Sequence, residues 1–249
     1  MVIIKSANEI EKIRESGKIV SEALNLAGEI IKPGITTFEI NEALEKAILS
    51  HNAKPSFKNY NGFPAASCIS PNFVVVHGIP SKKTVLREGD IVSVDVGAFY
   101  GGYHADAART YPVGNISPQA KELIDVTKEC FFKGAEAAVV GNRVGDIGFA
   151  VQSHAEKHGY GVVRELVGHG VGKNLHEEPD VPNFGNRGRG IRLMRGMVIA
   201  IEPMINMGTQ EVDFNREDGW TVTTRDKKLS AHYENTVAIT DNGPVLLTV

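Results

Sequence analysis

The apolar positions near the start of the chain fall on one helical face. Ile10, Ile13, Val20, Leu24, Ala27 and Ile31 recur at helical spacing. Ser6 with Glu9 has the spacing of a capping box, so a helix is expected to begin there, and Pro33-Gly34 to stop it. Thr36 with Glu39 repeats the capping pattern and opens a second helix through Ile40, Ala43, Leu44, Ala47 and Ile48. The layout then returns. Ser117-Pro118 reads as an N-cap with proline at the first helical position and predicts a helix to about Val140. Gly141 breaks it, and a shorter helix is expected from about Asp146 to a Gly159 C-cap.

A shift of 107 residues lays Gly34 on Gly141, Glu39 on Asp146, Ile40 on Ile147 and Ala43 on Ala150. The same shift lays the segment Leu86 to Asp95 on Leu193 to Glu202 without a gap, so Asp95 falls on Glu202. Each half reads helix, helix, strands. This predicts an α/β or α+β fold in which two related halves share a sheet core. No Ser/Pro/Gly-rich linker intervenes. The expectation is one domain over residues 1–249 with an internal repeat, approximately 1–112 and 113–249.

Composition narrows the function classes. The chain of 249 residues is 42% hydrophobic and 23% charged, ordinary for a domain with a substantial core. A net charge of −3 gives no basic footprint for nucleic acid. Cys68 and Cys130 form no disulfide framework and suit a reducing cytosol. No signal peptide or stretch of transmembrane length is present, so a cytoplasmic location is expected.

The chemistry lies in carboxylates placed where they are costly. Asp95 sits in Ile91-Val92-Ser93-Val94-Asp95-Val96-Gly97, and Glu202 in Met197-Val198-Ile199-Ala200-Ile201-Glu202-Pro203. A charge buried in such a strand is unfavourable unless paired or bound to metal. Asp95 and Asp106 flank Phe99-Tyr100-Gly101-Gly102, and a four-residue loop there would set the two aspartates directly opposite each other. Two like charges that close call for a cation between them. The hairpin alone also admits two solvated aspartates at a polar tip. Glu202 and Glu234 repeat the arrangement around a longer excursion, residues 206–230, which reads as an extra hairpin containing Trp220. His169, between Gly168 and Gly170, adds a nitrogen donor beside backbone that can approach a site closely. Four oxygen donors and one nitrogen, with no thiolate, suit Mn, Fe, Co or Zn in a catalytic role. The remaining histidines, His51, His104, His154, His158 and His232, read as structural or solvated.

Seven short motifs now carry a resemblance across nearly the whole chain. They are Val76-His77-Gly78-Ile79-Pro80, Ser93-Val94-Asp95-Val96-Gly97, Gly102-Tyr103-His104-Ala105-Asp106, Gly168-His169-Gly170-Val171-Gly172, His176-Glu177-Glu178-Pro179, Ile201-Glu202-Pro203 and Tyr233-Glu234-Asn235-Thr236. In this order the chain resembles the type I methionine aminopeptidases, metallopeptidases of the pita-bread fold. The resemblance implies two divalent ions, Co, Mn, Fe or Zn. Asp95 would hold one, His169 and Glu202 the other, and Asp106 and Glu234 would bridge both. It implies a water activated between the ions, Glu202 as the group that handles its proton, and His77 and His176 as residues that contact substrate and stabilise the tetrahedral intermediate. It also implies a methionine pocket walled by Phe57, Tyr60, Phe63, Cys68, His77 and Trp220. This chain has Phe57 and Asn61 where some members carry a small residue or Cys, and His, respectively.

The resemblance further implies removal of the initiator methionine from nascent polypeptide N-termini, near the ribosome, with a small second residue preferred. A monomer is expected. Proline-directed aminopeptidases share the fold and ligands, but usually carry an added N-terminal domain, whereas Ser6 already opens the first helix here. The type II subfamily usually carries a large insertion between the positions of His169 and Glu202, for which this chain has no room. A catalytically inert pita-bread binding protein would have lost ligands that are all retained here.

Overall fold

Local capping sets where the helices begin. In the computed structural model, which describes residues 1–249, Ser6 Oγ accepts from the Glu9 amide and Glu9 Oε2 accepts from Ser6 N at 2.9 Å. Helix α1 therefore starts at Ala7 and runs to Ile30. The Thr36–Glu39 box opens α2, Thr37–Ser50. Ser117 Oγ accepts from Ala120 N and opens α3, Pro118–Ala137, three residues shorter than expected at its C-terminal end. Helix α4 spans Val144–Lys157 and begins before Asp146, because the Asp146 carboxylate reaches back to the Arg143 amide at 2.7 Å. The conventional capping residue is absent; the reciprocal carboxylate alone does the capping.

The 107-residue offset recurs in the backbone. Helices α2 and α4 are each 14 residues long and start at positions related by that shift. Gly34 N donates to Leu86 O at 2.8 Å, and Gly141 N to Leu193 O at 3.0 Å. Isolated bridges join Thr36 to Val85 and Arg143 to Arg192.

Alternation along the strands aims the acidic residues. The first half forms an antiparallel sheet from Lys54–Pro55, Ser67–Pro71, Ile91–Tyr100 and Tyr103–Pro112. Val92, Val94, Val96 and Ala98 pack with Ile13, Val20, Leu24, Ile40 and Leu44 of α1 and α2. The intervening residues, Asp95 among them, face away from the helices. In the next strand Tyr103, Ala105 and Ala107 join the same core, which turns Asp106 to the same side as Asp95. The second half builds a five-stranded sheet in the order Gly243–Leu246, Asn235–Thr240, Val198–Ile201, Gly168–Gly170, Glu177–Val181. Ile199, Ile201, Val237 and Ile239 pack with Phe131 of α3 and Ile147 of α4. Glu202 and Glu234 thus lie off the helix-facing set.

The two sheets meet along a seam. Ala108 N donates to Glu234 O at 3.4 Å and Glu234 N returns a bond to Ala108 O at 3.0 Å. Thr236 Oγ1 accepts from Asp106 N and donates to Asp106 O at 2.9 Å. Thr110 Oγ1 donates to His232 O and accepts from His232 N, both at 2.9 Å. The halves therefore share one sheet core, as the pattern predicts.

One register differs from the expectation. Asp95 stands opposite Ala108, and Asp106 opposite Gly97. The turn is two residues long rather than four: Gly101 and Gly102 both adopt positive φ, +58° and +88°, which lets the strands run to Tyr100 and Tyr103. The aspartates are diagonal neighbours on one face rather than directly opposed. Glu202 and Glu234 come one step beyond the Ile201–Asn235 pair. The excursion between them forms the expected hairpin, Val212–Phe214 with Val222–Thr224, and the second strand docks on Val74–Val76. No helix is long and apolar enough to cross a membrane.

Candidate metal centre

One cavity of about 290 Å³ opens where the two sheets meet, and every residue singled out from the sequence lines it. The first sheet contributes Cys68, Asp95 and Asp106, and the segment leading into it Phe57, Tyr60 and Phe63. The second half contributes His169, His176, Glu202 and Glu234. His77 follows the Val74–Val76 strand, and Trp220 arrives on the hairpin docked there. Asn61 and Leu175 complete the wall.

No lysine or arginine lines this cavity, although four carboxylates do. Burial, then Asp106 and Glu202, push the Asp95 carboxyl well above the usual carboxylate range. Burial followed by the same two neighbours does so for Glu234. Burial pushes Glu202 up to about 8, against the pull of His169. Asp106 goes the other way: burial alone would raise it, but His169, with Nε2 3.4 Å from Oδ2, outweighs that and holds it below its ordinary value. His169 is correspondingly raised to about 9, since Asp106 and Glu202 overcome the cost of burying its charge.

The donors fit a divalent cation. Asp106, His169 and Glu234 are buried and each offers an atom within 4.8 Å of the others. Asp95 Oδ1 is buried with no hydrogen-bond partner, a costly state that a bound cation relieves. His169 Nδ1 donates to Gly170 O at 2.9 Å, so Nε2, facing Asp106 and, at 3.7 Å, Glu202, is the nitrogen that would offer a lone pair to a cation on losing its proton. The glycines beside His169 serve its sheet rather than the cavity. A Cβ on Gly168 would meet Ala200 O at 2.3 Å, and one on Gly170 would meet Glu178 O at 2.3 Å.

Two further histidines, His77 and His176, line the same cavity. His176 Nδ1 lies 2.8 Å from Tyr60 Oη, and its ring centroid is 4.0 Å from that of His169. Burial and then His169 push His176 down to about 4. Burial also lowers His77, against a bond to the Trp220 backbone. His77 and Asn61 adopt left-handed φ, +58° and +48°, a conformation that a non-glycine residue holds only when its surroundings fix it. Trp220 packs edge-on to Phe63 at 5.1 Å and to His77 at 6.2 Å, closing the apolar end.

Sequence comparison places these features in a known group. The model of Metallopeptidase family M24 matches residues 11–241.

The chain belongs to metallopeptidase family M24.

A methionine aminopeptidase of Clostridium acetobutylicum is 57% identical over 249 residues, covering 100% of this chain and 99% of the relative. The crystal structure of methionine aminopeptidase from Rickettsia prowazekii superposes with a TM-score of 0.98 at 43% identity, covering 100% of both chains. A prolidase from Pyrococcus furiosus is more distant, with a TM-score of 0.81 at 29% identity, covering 99% of this chain but 65% of its own. The fold is the pita-bread fold of these proteins.

Further groups complete this metallopeptidase's site. His232 is fully buried with both ring nitrogens unpaired, and Nε2 is 3.8 Å from Glu202 Oε2. Thr236 Oγ1 contacts Asp106 Oδ1 at 3.0 Å. Both stand two residues from Glu234, so strand alternation placed them on its face. Lys5 forms a buried ion pair with Glu177 at 2.7 Å, adjacent in sequence to His176. That contact joins residues too far apart in the chain for any local pattern to signal it.

Proposed function

We propose that this chain is a methionine aminopeptidase that removes the initiator methionine from polypeptides whose second residue is small. The carrying observation is one cavity in which four buried carboxylates and His169 adjoin an apolar compartment walled by Phe57, Tyr60, Phe63, Cys68 and Trp220. A narrow apolar slot suits an unbranched thioether side chain. The polypeptide backbone leaves past the carboxylates, where bulk at the second residue collides with the cage.

Asp95, Asp106, His169, Glu202 and Glu234 would hold two divalent ions, with Asp106 and Glu234 shared between them. Such a pair supplies Lewis acidity and acidifies a water toward neutrality. Glu202, which lines the cavity beside His169, would take the water proton and pass it to the leaving amine. His176 is neutral at pH 7. With Tyr60 donating to Nδ1, its remaining proton sits on Nε2, a donor for charge developing on the scissile carbonyl. His77 supports the substrate from the Trp220 side. The chain works as a single catalytic domain built on an internal repeat, as a cytoplasmic monomer acting on new N-termini near the ribosome.

The test compares peptides beginning Met-Ala, Met-Leu and X-Pro after chelation and metal add-back. Met-Ala is cleaved fastest, and all activity disappears on chelation. Cleavage of X-Pro with Met-Ala left intact overturns the assignment.

A further inference from the structure

A second group of metal-type donors lies on the helix layer, and none of its members lines the cavity described above. His154 is in the last turn of α4 and His158 caps that helix. Four residues apart, they share one face, and their ring centroids are 4.9 Å apart. The packing of α3 on α4 brings Glu129 to them, with Oε2 2.7 Å from His154 Nε2. One donor atom from each of the three residues lies within 4.8 Å of the others.

We propose that Glu129, His154 and His158 form a peripheral site for a transition-metal ion of the zinc type. Two imidazoles and one carboxylate make a donor set that binds zinc with a position left for water. Imidazole also suits nickel and copper, whereas the carboxylate-rich cavity favours harder ions. The position at the C-terminal end of α4 adds the negative end of the helix dipole. A simple ion pair accounts for less of the geometry: it uses Glu129 and His154 and leaves His158 without a role. The ion takes the place of the hydrogen bond between His154 Nε2 and Glu129 Oε2, and the neutral imidazole keeps its one ring proton on Nδ1. Because the ligands come from both helices, the bound ion ties the end of α4 to α3 and favours the folded state.

The test uses the untagged full chain, stripped with chelator and titrated with Zn²⁺ by calorimetry, beside an H154A/H158A variant and a Glu129→Gln variant. The wild type takes up one more equivalent of zinc than H154A/H158A and gains more in Tm on zinc addition. Glu129→Gln keeps the extra equivalent but binds it more weakly. After Mn²⁺ add-back, the three proteins hydrolyse a Met-Ala peptide at the same rate, which separates this site from the catalytic one. Equal zinc uptake by the wild type and H154A/H158A overturns the proposal. So does unchanged zinc affinity in Glu129→Gln, which would reduce the cluster to an ordinary surface histidine pair.

Discussion

The two acidic strand pairs do the same job by different construction. In the first half, Asp95 and Asp106 sit on strands of 10 residues each, joined by the two-residue Gly101-Gly102 turn. In the second half, Glu202 directly follows the strand Val198–Ile201, Glu234 directly precedes Asn235–Thr240, and the excursion that carries Trp220 separates them. The first pair has a continuous ladder of backbone bonds and packs a single valine-rich face on α1 and α2. It is a fixed floor. The second pair uses the chain between its members to reach across to Val74–Val76 and roof the cavity. A repeated element can thus keep its carboxylate positions while one copy gains a wall of the cavity.

The largest effect is expected in the cage. Glu202→Gln lowers turnover by about 10²–10⁴-fold, with the far-UV circular dichroism spectrum unchanged. Full activity in this variant would remove Glu202 from the mechanism and leave the second pair purely structural.

Next comes the tie between the chain start and the His176 loop. The side chains of Lys5 and Glu177 are both 3% exposed, and Glu177 also accepts from Asn174 N at 3.1 Å. Lys5→Met leaves a buried carboxylate without its partner and costs about 3–5 kcal/mol in urea unfolding. A K5M/E177Q double variant recovers part of that loss. An unchanged unfolding midpoint in K5M contradicts the ion pair's role in holding this loop.

The roof yields a smaller change. Trp220→Ala lowers kcat/KM for Met-Ala by about 10- to 100-fold, mostly through KM, from the apolar area lost. If kcat falls with KM constant, Trp220 serves the chemistry rather than the pocket, and the floor-and-roof distinction fails.

The gentlest probe is pH. Without metal, the folded-state values of His169 and Glu202 are raised to about 9 and about 8. Raised values mean that the folded state holds protons the unfolded state has released, so stability falls as pH rises. The window runs from about 4.5 to about 8 for Glu202 and from about 6.5 to about 9 for His169, so the loss is steepest where the two overlap and ends near 9. Chelated protein therefore loses thermal stability across that range, and added Mn²⁺ reduces the slope. A chelated protein that gains stability there contradicts the electrostatic account of the cage.

Much of this was legible in the chain because it is local. Two capping boxes and the Ser117-Pro118 N-cap mark three of the four helix starts, and the 107-residue shift lays Asp95 on Glu202. The Asp95–Asp106 register differs from the expected one by two residues, since the length of the Gly-Gly turn depends on both glycines adopting positive φ. The start of α4 was obscured because Arg143 is no conventional cap. The Lys5–Glu177 pair and the approach of Glu129 to His154 depend on how distant elements pack, which no local pattern encodes.

The central claim is that the two acidic pairs and His169 jointly hold two divalent ions. Anomalous diffraction from crystals grown with Mn²⁺ tests it most directly. Two peaks are expected about 3.5–4 Å apart, both contacted by Asp106 and Glu234, with Asp95 on one and His169 and Glu202 on the other. Absence of any peak between the pairs, or a single peak that leaves Asp95 unligated, would contradict it.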